Sequence, residues 1–218
     1  MQPGMLCMGS MHRPDADTRT FGWNDLFVAT GLSPERLAGA GVRVGSSIVP
    51  AGFRRGPFVF GEEHDPLVAA WTFDDRMGVV ALLRLLEVMK VEAITPARPT
   101  LVCFTVSEED GCHGAAVLAQ RERPEVFVAV DGSPIPPGCD LKLDGRPAIW
   151  SKDGGTNFDQ RLIGDFCRAA REAGTELQVA VFSNAASDAT KAYAIGAAER
   201  VATIGHVREN SHGFEMAR

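Results

Sequence analysis

The chain has 218 residues, a net charge of −6 and 45% hydrophobic residues, enough for one large domain or a domain with a small appendage. The mild acidity and the lack of a basic run argue against nucleic-acid binding, and no apolar run approaches a membrane span. Five cysteines, odd in number and never spaced C-x-x-C, read as reduced thiols of a cytoplasmic protein, and the amino terminus carries no visible export signal.

The opening segment, about residues 1–70, is rich in Gly and Pro. Its short apolar runs at Asp25–Thr30, Ser46–Pro50 and Pro57–Phe60 suit short strands and turns. Ser33-Pro34-Glu35 predicts a short helix, with Ser33 as its cap, Pro34 in its first turn and Gly39 and Gly41 ending it. From Ala69 the texture is α/β. A strand over Ala69–Phe73 leads into a helix over 74–91, where Met77, Val80, Ala81, Leu82, Leu85, Val88 and Met89 recur at helical spacing. Then come a strand over Thr100–Val106, a helix over Cys112–Arg121 and a strand over Val126–Val130. A helix over Phe158–Ala173, a strand over Leu177–Phe182, a helix over Ala186–Gly196 and a strand over Val201–Gly205 complete the series. Alternating strands and helices predict a mainly parallel sheet covered on both faces.

Residues able to do chemistry fall at the predicted carboxyl ends of these strands, where open α/β sheets place their sites. Asp74 and Asp75 follow the first strand. Glu108 and Glu109 follow the second, Asp131 ends the third, and His212 lies beyond the last. Carboxylates and imidazole are zinc ligands, and a spare carboxylate beside them suits a general base. Each cluster taken alone has a structural alternative. Asp74-Asp75 would cap a helix, Glu108-Glu109-Asp110 would be a solvated loop, Asp131-Gly132 a turn, and His212 a surface histidine. The order of the set at strand ends favours the chemical reading. His12, His64, His113 and His206 are read as structural or surface residues.

The set resembles a known family. Phe73-Asp74-Asp75-Arg76-Met77-Gly78, Thr105-Val106-Ser107-Glu108-Glu109-Asp110-Gly111 with Gly114-Ala115, and Val128-Ala129-Val130-Asp131 are similar to motifs of the dinuclear metallo-aminopeptidases. These are the glutamyl and deblocking enzymes that assemble into tetrahedral particles. Ser187-Asp188-Ala189 resembles the family's Thr-Asp-Ala turn, and Asn210-Ser211-His212-Gly213-Phe214-Glu215 its closing motif. Asn24-Asp25-Leu26-Phe27-Val28 with Gly31, then Gly41-Val42-Arg43-Val44-Gly45, resemble part of its β-rich inserted dimerisation domain.

The resemblance implies a three-layer α/β/α zinc-peptidase-like fold, with a partial inserted domain over 1–68 and a catalytic domain over 69–218. It implies removal of N-terminal residues from short peptides through a metal-bridging water, with zinc or cobalt as cofactor and a homo-oligomer as the assembly. Asp74 would bridge two ions and be joined to Asp75 by a cis peptide. Glu109 and His212 would complete the second ion's ligands, and Asp131 would hold the first. Glu108 would be the general base, with Asp75 beside it among the catalytic residues. Asp188 would orient a neighbour or the substrate amine, or else cap its helix.

The family's further ligand, a histidine in an early His-x-Asp motif, has no counterpart here. The chain is expected to correspond to the carboxyl-terminal two-thirds of the pattern, without its final helix. Two alternatives stand beside the aminopeptidase. One is a non-catalytic interaction subunit keeping one metal site, and the other an amidohydrolase acting on acylated amino acids.

Overall fold

A computed structural model describes every residue except Met11, Arg13 and Ala16. The chain divides into two compact units, Met1–Arg55 and Gly56–Arg218. The first holds a two-stranded antiparallel pair, β1 (Met5–Cys7) and β2 (Phe27–Ala29), and a short helix α1 (Pro34–Gly39). Ser33 caps α1 by accepting the Arg36 N–H, and Gly41 follows it at φ +78°, as the Ser-Pro and Gly signals predict. The run Ser46–Pro50 forms no strand.

The second unit contains the core. A hairpin, β3 (Phe58–Glu62) and β4 (Asp65–Trp71), leads into α2 (Phe73–Val91). After α3 (His113–Glu122) come β5 (Val126–Val130), β6 (Ser133–Pro134) and β7 (Ala148–Lys152). Then follow α4 (Gln160–Glu172), β8 (Gln178–Val181), α5 (Asp188–Ala194), β9 (Arg200–Gly205), β10 (Val207–Arg208) and β11 (Phe214–Ala217). The main sheet runs β5–β9–β7–β8. Its β5–β9 and β7–β8 pairs are parallel, and β7–β9 is antiparallel, so the sheet is mixed. Buried Ile149, Trp150, Phe158, Phe182 and Val201 form its core, and Trp150 packs edge-on against Phe182 with ring centroids 4.7 Å apart. The Trp150 indole N–H donates to Ser133 Oγ at 2.8 Å, satisfying a buried polar atom.

Another expectation differs from the structure. Thr100–Val106 is not a strand, and Leu101, Phe104 and Val106 are exposed. An apolar β-rich run favours extended backbone, but a strand also needs a neighbour to accept its ladder hydrogen bonds. Among the described residues no strand pairs with this run. The helix over 74–91 forms as α2, yet of its residues only Phe73 and Gly78 are buried, while Val79, Val80, Leu83, Leu85 and Leu86 stay on the surface. Helical spacing of apolar residues dictates a helix without dictating what covers it.

The small strands at the chain's end matter for the site. β11 pairs antiparallel with β4, setting Glu215 opposite Ala70, and β10 pairs parallel with β6. Both pairings bring the carboxyl-terminal segment back to the loops after β4 and β5.

Candidate metal centre

The chain turns sharply out of β4. Thr72 is left-handed at φ 61°, and Asp74 and Asp75 depart from helical dihedrals before α2 becomes regular. The Asp74–Asp75 peptide is cis. Asp75 Oδ1 accepts the Gly78 N–H at 3.0 Å, so this carboxylate does cap the helix. A Cβ at Gly78 would lie 2.0 Å from Asp75 Oδ2, so the carboxylate can sit there only because residue 78 is glycine.

Glu108 and Glu109 follow the unpaired run through Ser107, left-handed at φ 56°. The Gly111 and Cys112 N–H groups donate to the Glu108 carbonyl at 2.9 and 2.8 Å, closing the turn into α3. Asp131 leaves β5 with its N–H bonded to the Ile204 carbonyl of β9 at 3.0 Å. His212, at φ 62°, stands on the loop between β10 and β11. Left-handed backbone at several non-glycine residues is uncommon and concentrates where geometry is over-determined by its surroundings.

These loops converge. His212 Nε2 lies 3.3 Å from Asp74 Oδ2 and 3.7 Å from Glu109 Oε2. One ligand atom each from Asp74, Glu109 and His212 falls within 4.8 Å of the others. The same holds for Asp74, Asp75 and Asp131, and for Glu108, Cys112 and Asp188. All seven residues singled out in the sequence thus belong to three clusters, two of which share Asp74. Asp188 starts α5 and accepts the Thr105 hydroxyl at 2.5 Å, and its buried Oδ1 finds no hydrogen-bond partner among the described residues. His12 and His64 are exposed, and neither belongs to one of these clusters.

The electrostatics follow from crowding negative groups out of water. Burial, with Asp74 and Glu108 adding repulsion, pushes Asp75 up to about 7 despite the Gly78 hydrogen bond. Burial likewise raises Glu108, and with the charges of Asp74, Asp75 and Glu108 it raises Asp131 well above the usual carboxylate range. Burial lowers His206 to about 4, leaving it neutral. The positive charge built into this acidic cluster is Arg208, 2.7 Å from Asp74 and 2.6 Å from Glu215.

The residues fit a divalent ion. Two donors bound tetrahedrally at zinc distances stand about 3.3 Å apart, the spacing seen between His212 and Asp74. An excess of clustered carboxylates is also what a bound cation offsets. The Asp74, Asp75 and Asp131 set offers oxygen donors alone.

One expected result follows. A cation binding here would displace protons from Asp75 and Asp131, because both carboxyls are held above the free carboxylate range. Zinc titrated calorimetrically at pH 6, in buffers of different ionisation enthalpy, should report release of about one proton or more per ion. Asp75→Asn should lower that count by about one while its amide oxygen still caps α2. Buffer-independent heats would contradict these protonation states.

Four contributors carry no site signal of their own in the sequence: Arg208 stands alone, Glu215 sits inside the closing motif, Thr105 lies in an apolar run and Cys112 at a predicted helix start. The available signal for Arg208 is an arginine closing a mostly apolar stretch, Val201–Val207, interrupted only by Thr203, Gly205 and His206.

The fold is that of the zinc-peptidase-like α/β proteins. It superposes on the TET aminopeptidase of the marine sediment archaeon Thaumarchaeota archaeon SCGC AB-539-E09 with a TM-score of 0.84 at 22% identity, over 98% of this chain and 61% of that one. The TET1 peptidase of Pyrococcus horikoshii, which can assemble into a tetrahedron or a large octahedral shell, matches at 0.73 and 24% identity, over 95% of this chain and 59% of that one. An aminopeptidase of the archaeon Desulfurococcus kamchatkensis matches at 0.72 and 24% identity, over 98% and 59% respectively. A profile of the M42 glutamyl aminopeptidases matches residues 2–218, and the chain belongs to that family. It spans about three-fifths of the length of these solved relatives. No curated protein matches it.

Proposed function

We propose that the chain is a metal-dependent aminopeptidase-type hydrolase that removes N-terminal residues from short peptides. The observation that carries this is the meeting of Asp74, Glu109 and His212 donor atoms, with Glu108 next in sequence, in a member of the M42 family. Asp74, Glu109 and His212 would hold one ion, zinc or cobalt, and Asp131 with Asp74 would contribute to a second position. When bound, such an ion supplies charge that polarises a carbonyl and acidifies a water. Glu108, held above an ordinary carboxylate by burial, takes the proton of the attacking water and returns it to the departing amine. Asp75, held by Gly78, backs Asp74. Asp188, held by the Thr105 hydroxyl with one oxygen left unpaired, would orient a substrate amine.

The first unit would correspond to part of the inserted dimerisation domain, and the assembly to a homo-oligomer like the TET1 shells. No described helix is long and apolar enough to cross a membrane. All five cysteines are unpaired, which suits a reducing compartment such as the cytoplasm.

The test pairs two measurements on chelator-stripped protein supplied with zinc or cobalt: cleavage of aminoacyl-nitroanilides, and metal stoichiometry by elemental analysis. Metal-restored cleavage with metal retained is expected. Retained metal without cleavage would favour an interaction subunit, the reading supported by an Asp74, Asp75 and Asp131 set that offers no imidazole. Neither metal nor cleavage would refute the proposal.

A further inference from the structure

Glu215 is 1% exposed at its side chain and has no place among the ligands, yet it touches two of them. Its Oε2 accepts the Asp74 N–H at 2.9 Å. Its Oε1 accepts Arg208 Nη1 at 2.6 Å and the His212 N–H at 3.4 Å. Arg208, 4% exposed, turns its other amino group to Asp74 Oδ2 at 2.7 Å. One buried ion pair therefore grips Asp74 by backbone and side chain, and His212 by backbone. Such pairs seldom add net stability, because two desolvated charges cost about what their attraction returns. Their better-attested use is to fix a geometry, as outer partners do for metal ligands.

Gly132 leaves the space that the guanidinium fills. A Cβ at Gly132 would lie 2.4 Å from Arg208 Nε and 2.7 Å from Cζ, so the guanidinium occupies the space that any side chain at position 132 would need. β11 delivers Glu215 against β4, just before Asp74, and β10 delivers Arg208 against β6.

We infer that Glu215 and Arg208 are positioning residues that set Asp74 and His212 for the ion, with Gly132 keeping the guanidinium aligned; this rests on the metal reading of those two ligands. Glutamine at 215 keeps one acceptor but turns the other oxygen into a donor facing donors. Lysine at 208 keeps the charge and loses the fork that reaches both carboxylates.

The experiment measures zinc affinity of the metal-free protein by competition with a chromophoric chelator, alongside the unfolding temperature. Glu215→Gln, Arg208→Lys and Gly132→Ala are compared with Ile149→Val, a core change remote from the cluster. The three should weaken zinc binding by about 10–100-fold, the scale of outer-partner loss. Ile149→Val should lower the unfolding temperature and leave zinc affinity alone. Affinities of Gly132→Ala and Arg208→Lys equal to that of the unaltered chain would overturn the inference even if Glu215→Gln fails to fold. An unaltered chain that binds no zinc would overturn the metal reading itself, and this inference with it.

Discussion

Replacing Glu108 with glutamine should cut peptide hydrolysis by about 10²–10⁴-fold while leaving zinc binding unchanged, the range general-base loss produces. Glu108 lies outside the Asp74, Glu109 and His212 set, so its neutralisation removes no ligand of that ion. The substitution is close to isosteric, and the Cys112 thiol, 3.4 Å from Glu108 Oε1, can still donate to the amide oxygen. Burial already lifts Glu108 above an ordinary carboxylate, which is the direction that makes a better proton acceptor near neutral pH. Turnover by Glu108→Gln equal to that of the unaltered chain would remove Glu108 from the chemistry.

Asp74→Asn should have the largest effect on metal. Asp74 is the residue shared by the Asp74, Glu109, His212 and the Asp74, Asp75, Asp131 sets, so one substitution weakens both. Zinc affinity should fall by more than about 100-fold, beyond the range for outer partners. Glu109→Gln, which touches one set only, should cost less. Equal losses in the two variants would show that Asp74 serves a single position. Chelator competition measures both, with circular dichroism confirming that the fold persists.

Much of the scaffold could be read from the chain because its signals are local. The periodic run behind Asp75, the apolar Val126–Val130 and Val201–Gly205, and the Ser33-Pro34 start each encode their own backbone, and each element forms. Thr100–Val106 carried the same signal as Val126–Val130 and did not form a strand. Pairing is a property of the neighbour, and a run of β-branched residues contains no information about who lies beside it. The candidate site was legible because paired acidic residues are chemically conspicuous, even though Glu108-Glu109 follows an unpaired run and not a strand. Arg208 and Glu215 were not, because their meaning comes from β10 and β11, two short strands whose register depends on contacts distant in sequence. The left-handed backbone at Thr72 and Ser107 was equally hidden, since neither residue type favours it.

The hydrogen bond from Asp74 to Glu215 joins residues 141 positions apart. A random coil almost never closes so long a loop by chance, so the proposed ligand set is a property of the native state alone. An ion that recognises only that state acts as a thermodynamic weight on the folding equilibrium, adding about 2.7 kcal/mol when it is present at a hundred times its dissociation constant. Chelators would then behave as denaturants. Where free zinc is scarce, the half-life of the chain against proteolysis, rather than its turnover, would be the first quantity to fall.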